Sequence, residues 1–430
     1  MSILEKSYAY LKMIMDKEES FVVVMNRLIP NSDLSPSETL LVRDVLKSTV
    51  NKYYYLRFEI RKGAQRLNLE LEVEETNVLV LGIAFIQYVK NMTYEGTLEL
   101  FKEDHDVLPL KISLEQINAL YGTIGEKPME LPPNVEARIA KKIALKYSYP
   151  EWIIRSMFKQ YDVKSTYRSC AASRRGMPIS VNINPLRMKD SDKLEETSFV
   201  KSSFSSRAYN YVGKEKIIDH PYFKSNRIFV EDEAYQILVE ALDPNQGEEM
   251  LFIDDSKGVM GLDASLRVHH LAKINVALKD LIALNAARNL YHRFGAKAIN
   301  SFESTPNLLI THVAPYSMDK VLLVAPSSRI GLVRKHPDIL LTLRKQDLVT
   351  IIEEEKNLLN EVSQFVKPEG VIIYAVFTMN KNEGEVMIKN FLEEHHDFAL
   401  LEERQVLPFD GPCDGFYYAK LLRNKENDED

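Results

Sequence analysis

From about residue 230 to 423 the sequence alternates short apolar runs with longer amphipathic stretches, and no other feature restricts the fold as tightly. Apolar runs at 249–254, 271–276, 308–313, 320–325, 371–377 and 416–422 read as strands. Helical periodicity covers 233–242, 279–293, 345–366 and 383–394. Such alternation predicts a parallel sheet with helices on both faces. In sheets of this kind ligands sit beyond the carboxyl ends of the strands, so functional residues are expected there.

The first 145 residues follow a different period. Ser35-Pro36-Ser37-Glu38 is a helix start, with Ser35 as N-cap, Pro36 at the first helical position and Glu38 closing a capping box. Leu41, Val45 and Leu46 continue it at helical spacing. The stretch 78–89 is apolar on every side, which suits the central helix of a bundle. A further helix is expected at 114–122. After Leu131-Pro132-Pro133 comes a basic helix carrying Arg138, Lys141, Lys142 and Lys146. No catalytic constellation is visible in this part, and His105 is its only histidine.

Charge is unevenly spread. The chain carries a net −7, yet 138–227 holds 19 Lys/Arg against 8 Asp/Glu, a local +11 that leaves −18 elsewhere. A basic block in an acidic chain is the footprint of a polyanion-binding surface. Arg168, Arg174 and Arg175 lie in it, interleaved with Tyr161, Tyr167, Phe204, Tyr209 and Tyr211, residues able to hold phosphates and stack bases. The alternative is a solvated face over an ordinary aromatic core. Within this block, Pro178 to Asn184 alternates like a strand. The last residues, 425–430, form an acidic tail.

Several classes are excluded. Two cysteines, Cys170 and Cys413, cannot build a disulfide scaffold or a Cys-based zinc site. The paired histidines His269-His270 and His395-His396 diverge on any regular element, so no metal site is expected. The uncharged stretch around Val78 to Val89, about 14 residues, is too short to span a bilayer. The N-terminus has no signal-peptide core, and a cytoplasmic location is expected.

The order of parts resembles the RsmB/Sun family, RNA cytosine-C5 methyltransferases that act on 16S rRNA with S-adenosylmethionine. The landmarks are Gly331-Leu-Val-Arg-Lys-His-Pro-Asp-Ile339, Pro368-Glu-Gly370, Tyr374-Ala375, Asp414-Gly-Phe-Tyr-Tyr-Ala-Lys-Leu421 and Phe223-Lys-Ser-Asn-Arg-Ile-Phe-Val-Glu-Asp232. The resemblance implies an all-α NusB-like domain over 1–145, a small α+β basic subdomain over 146–229, and an α/β Rossmann-like class I methyltransferase domain over 230–423, followed by the tail 424–430. It also implies RNA contacts from Arg334 and Lys335, beside those of the basic block, and a possible protein partner for the helical domain.

The chemistry positions depart from that family. Its nucleophilic cysteine lies in Thr-Cys-Ser, where this chain has Val376-Phe377-Thr378. Its second cysteine lies in Asp-Ala-Pro-Cys-Ser, where this chain has Val324-Ala325-Pro326-Ser327-Ser328. Phe377 thus replaces the nucleophile, Ser327 the cysteine that helps product release, and Val324 the acid. The cofactor loop, Asp-x-Cys-Ala-Ala-Pro-Gly-Gly-Lys-Thr in the family, aligns with 252–261 here. Gly258 alone stays in register, Met260 takes the lysine position, and Asp254 and Asp255 add negative charge. For the ribose-binding acid after the second strand, the nearest candidate is Asn275. Three functions stay open: a catalytically degenerate RNA-binding homologue, an active methyltransferase with relocated chemistry, and a protein-interaction module.

Overall fold

The computed structural model describes residues 2–125, 132–188, 194, 198–253, 257–296, 298–305 and 308–425. Asp254, Asp255, Leu131 and the end of the acidic tail lie outside them. The chain divides into two compact units. The first holds Met1–Arg174 with Leu332–Lys345, and the second holds Arg175–Gly331 with Gln346–Asp430. The cut expected near residue 145 therefore falls inside the first unit, and the basic block is shared between the two.

The first unit is helical. Ser35 caps the 31-residue helix Pro36–Arg66, accepting from the Glu38 amide at 3.3 Å while Glu38 accepts from the Ser35 amide at 2.8 Å. Helix Val73–Tyr88 runs through the core, and Val78 to Phe85 are sealed from solvent on all faces. That burial explains why its sequence shows no polar side. Helices Leu114–Gly122 and Val135–Tyr147 fall where their patterns place them. The segment Leu332–Lys345 belongs to this unit although it follows a strand of the other. Its Asp338 accepts from the Phe21 amide at 3.2 Å, and the Leu340 carbonyl accepts from the Tyr54 hydroxyl at 2.8 Å.

The second unit contains two sheets. The smaller is antiparallel, ordered β2-β3-β1-β4 from β1 (Ile179–Ile183), β2 (Phe199–Lys201), β3 (Tyr209–Tyr211) and β4 (Ile228–Val230). Its core is Val181, Leu194, Phe199, Ile217 and Ile228, with Tyr209 and Tyr211 packed against it. The larger comprises β5 (Glu249–Ile253), β6 (Lys273–Leu278), β7 (Ile299–Glu303), β8 (Met318–Val324), β9 (Val366–Val376), β10 (Phe398–Val406) and β11 (Phe416–Arg423). They are ordered β10-β11-β9-β8-β5-β6-β7.

Pairing is parallel from β7 through β9, whereas β11 runs antiparallel to both β9 and β10. One reversed strand thus sits in an otherwise parallel sheet. One expected strand is corrected here, and two further strands are added. The apolar run 308–313 is no strand: Leu309–Thr311 is a single 3₁₀ turn, and the third parallel strand is β7. β7 reads Ile-Asn-Ser-Phe-Glu, half polar because it is the sheet edge. β10 went unrecognised for the same reason, since residues 400–404 are exposed and mostly charged.

Candidate functional site

The carboxyl edge of the parallel strands is where chemistry is expected. β8 ends at Val324, with the chain continuing through Ala325, Pro326 and Ser327. β9 ends at Val376 and leads into Phe377 and Thr378. The Ala325 amide donates to the Ala375 carbonyl at 2.9 Å, so the two strand ends leave the sheet together. Beyond them the loops are tied by side chains. The Ser328 and Thr378 hydroxyls lie 2.8 Å apart, and Ser328 Oγ and the Ser328 amide reach the Glu383 carboxylate at 2.8 and 2.6 Å. Thr378 Oγ1 donates to Glu383 at 3.1 Å.

A hydroxyl against a carboxylate is a pairing that nucleophilic catalysis uses. Here Ser328, Thr378 and Glu383 are all buried, Glu383 completely. No substrate reaches an atom so enclosed, and the network serves to lock two loops. Sequence reasoning missed it because Glu383 follows Thr378 by five positions without a catalytic pattern. Ser327 itself is half-buried, and its Oγ accepts from the Arg329 amide at 3.3 Å, the ordinary use of a serine in a turn.

Phe377 is 3% exposed. Its ring meets Tyr235 edge-on at 5.3 Å and lies 6.0 Å from Phe416. Its carbonyl accepts from the Gly331 amide at 3.1 Å, and the Gly331 carbonyl accepts from the Gly415 amide at 3.1 Å. A Cβ on Gly331 would overlap the Gly415 carbonyl, so this close approach requires glycine. The landmark segments around residues 331 and 414 are thereby explained as interlocking backbone beside Phe377.

The cofactor positions fare no better. The family's S-adenosylmethionine needs an acid at the end of the second strand and a glycine turn after the first. Asn275 is corrected: β6 runs on to Leu278, so Asn275 lies mid-strand, where its amide oxygen accepts from Asn300 Nδ2 at 3.0 Å. The residue at the strand end is Leu278, 1% exposed. The next acid, Asp280, caps helix Leu281–Phe294 by accepting from the Ala283 amide at 2.7 Å. Gly258 has φ +85°, and a Cβ there would come within 2.8 Å of Ala287, with the Tyr291 hydroxyl closer still. Its glycine is thus required by helix packing. Met260 is a core side chain of helix Val259–Arg267, fully buried. With Val324 also apolar, the described residues of this edge do not fit the cofactor.

Neither cysteine offers a substitute. Cys413 is fully buried, and burial pushes the Cys170 thiol up to about 12, far from a thiolate at neutral pH.

The proposed RNA contacts separate into inward and outward groups. Arg174 is corrected to a structural role. Its guanidinium donates to the Tyr147 carbonyl at 2.7 Å, the Ser148 carbonyl at 2.8 Å and Asn51 Oδ1 at 3.1 Å, and stacks over Tyr149 at 5.2 Å. Lys142, Arg168, Arg175 and Lys335 are exposed, Lys141 lies over the Phe58 ring at 5.4 Å, and Arg334 is half-buried. Arg175 belongs to the second unit and the other six to the first.

A seven-stranded sheet with one reversed strand beside its edge, helices on both faces and loops at the carboxyl edge defines a Rossmann-like methyltransferase fold. A family model described as 16S rRNA methyltransferase RsmB/F matches residues 283–422. Ribosomal RNA small subunit methyltransferase B of Yersinia enterocolitica is 26% identical over 293 residues, covering 64% of this chain and 67% of that protein. A probable ribosomal RNA small subunit methyltransferase B of Bacillus subtilis is 22% identical over 317 residues, covering 66% and 68%. Among solved structures, PH0851 superposes with a TM-score of 0.74 at 19% identity over 99% of both chains. NSun6 from Pyrococcus horikoshii gives 0.56 at 11% identity, over 68% of this chain and 99% of that one. The chain is thus similar to the RsmB/Sun methyltransferases, most specifically over residues 283–422.

Proposed function

We propose that this protein is an RNA-binding member of the family that has lost cytosine-C5 methyl transfer, with small-subunit rRNA as its RNA. Phe377 carries the reading. C5 of cytosine becomes nucleophilic only after a group adds at C6, and a thiolate is suited to that addition. At the family's thiolate position stands a buried phenyl ring, wedged between Tyr235 and Phe416. A base flipped toward it would meet hydrocarbon. The absence of an acid at Leu278 and Val324 supports the same conclusion, with S-adenosylmethionine binding expected weaker than roughly millimolar. The cationic side chains at Lys141, Lys142, Arg168, Arg175, Arg334 and Lys335 support retained RNA binding.

The test is covalent trapping. RNA containing 5-fluorocytosine captures enzymes that add a cysteine at C6, because fluorine at C5 blocks the elimination that frees them. No denaturation-resistant adduct should form with the wild-type chain, nor any methylated product from labelled S-adenosylmethionine. A trapped complex would overturn the reading, and peptide mapping would identify the residue that had taken over.

A further inference from the structure

The helical unit contains a cleft of about 500 Å³ that no motif announced. Helix Pro36–Arg66 contributes Lys52 and Tyr55 to it, and helix Val73–Tyr88 contributes its last residue, Tyr88. Helix Val135–Tyr147 supplies Lys146 and Tyr147, and Arg174 completes the lining. Three tyrosine rings thus share one concavity with three cations, and no carboxylate lines it among the described residues. The size lies within the roughly 300–1,000 Å³ usual for small-molecule clefts.

The charges here are uncompensated. Lys52 Nζ stands over the Tyr88 ring at 4.8 Å, and Lys146 Nζ stands 5.4 Å from the Tyr147 ring while donating to the Tyr167 hydroxyl at 2.7 Å. Both lysines are exposed, and neither forms an ion pair among the described residues. The acceptors of Arg174 are two carbonyls and an amide, all neutral, so its charge also remains. In a chain of net charge −7, such a pocket selects an anion, and its rings select one with a flat π-face.

We propose that this cleft binds one unpaired nucleotide of a single-stranded RNA, the base against the tyrosine rings and the flanking phosphates at Lys52 and Lys146. A base within a duplex is stacked on both faces and cannot enter, whereas a splayed base can. Stacking accounts for the rings and counterion release for the lysines. The assignment rests on the RNA-binding reading above and locates one site for it.

The experiment is fluorescence anisotropy of the full chain with a fluorescein-labelled single-stranded hexa-adenylate, repeated across a salt series, with adenosine monophosphate as competitor. Tyr88→Ala should weaken hexamer binding on the order of tenfold, while Tyr88→Phe, which keeps the ring, leaves it unchanged. Lys52→Glu, at an exposed position that leaves the fold intact, should weaken binding and lower the salt slope by about 1 or more. If the wild type binds and these variants match it within about twofold, the cleft assignment falls alone. If the wild type binds no RNA, the RNA-binding reading falls with it. Monophosphate competing as strongly as unlabelled hexamer would make this a free-nucleotide site and overturn the strand assignment.

Discussion

The carboxyl edge of the larger sheet and the cleft of the helical unit both gather aromatic rings, and they differ in what surrounds the rings. At the sheet edge Tyr235, Phe377 and Phe416 pack on one another, with Phe377 and Phe416 essentially sealed. In the helical unit Tyr55, Tyr88 and Tyr147 are half-buried around an open cleft, with ammonium groups over two of their faces. The first arrangement is a core: its rings are satisfied by each other. The second has π-faces and charges that no described residue satisfies fully. On the proposed reading Phe377 fills the position where the family's nucleophile would stand, whereas the helical unit, where the sequence pattern indicates only a bundle, holds an open cleft.

The sharpest way to break that comparison is to empty the first site. Phe377→Ala should cost about 3–5 kcal/mol of folding stability, the usual penalty for deleting a buried aromatic ring. Tyr88→Ala should cost much less, since the cleft already admits water beside that ring. Urea unfolding of both variants reads the difference. A Phe377→Ala loss below about 1 kcal/mol would mean that the ring does not hold the site shut, and the contrast would collapse.

Arg174 tests the boundary between structure and binding. Its three hydrogen bonds join the end of helix Val135–Tyr147 to Asn51 of helix Pro36–Arg66. Arg174→Ala should destabilise the chain by about 2–4 kcal/mol, because two backbone carbonyls lose a charged donor. Lysine should rescue only part of this, lacking the planar fork. Arg168→Ala, at an exposed position, should stay within about 0.5 kcal/mol. Thermal melts of the three variants would show whether the two arginines differ as the geometry requires.

The two regions were unequally legible in the sequence. Helix Pro36–Arg66 announced itself because its cap is local: Ser35 and Glu38 satisfy each other within one turn. The buried strands β5, β8, β9 and β11 were readable because each carries an uninterrupted apolar run, at 250–253, 321–324, 371–376 and 416–419. β7 and β10 were not, since edge strands carry polar residues that erase the pattern, and the apolar run at 308–313 mimicked a strand it does not form. Asn275 was misplaced for a related reason: the end of β6 is set by pairing to β7, and Leu278 faces Glu303 in that register. Phe377 was identified by motif alone. The cleft was invisible because its lining comes from three helices and Arg174, spread between residues 51 and 174.

Glu355 extends the contrast to pH. It is fully buried on helix Asp347–Ser363 in the second unit, and burial first, then the charge of Glu383, raise its carboxyl to about 10. The folded chain keeps this proton at pH values where the unfolded chain has lost it. Its contribution is therefore complete below the ordinary carboxyl range and declines as pH rises from about 5 toward 10, by at most about 1.4 kcal/mol per pH unit. Glu355→Gln should flatten that part of the stability curve and exceed the wild type at pH 9. Parallel curves for the two proteins would show that Glu355 is ionised in the fold.

The smallest effect separates neighbours. Lys141 and Lys142 are adjacent on helix Val135–Tyr147, so their side chains point about 100° apart. Lys141 lies over Phe58, whereas Lys142 is exposed. Lys142→Ala should leave stability within about 0.5 kcal/mol. If Lys142 meets an RNA phosphate, the same change reduces the slope of log affinity against log salt by about 1. Lys141→Ala should cost somewhat more stability, since a cation over an exposed ring contributes roughly 0.5–1 kcal/mol. Binding isotherms at several salt concentrations, paired with melts, distinguish the two. Equal salt slopes for Lys142→Ala and wild type would make that face of the helix solvated surface, and RNA contact would then have to come from the cleft and the remaining exposed cations.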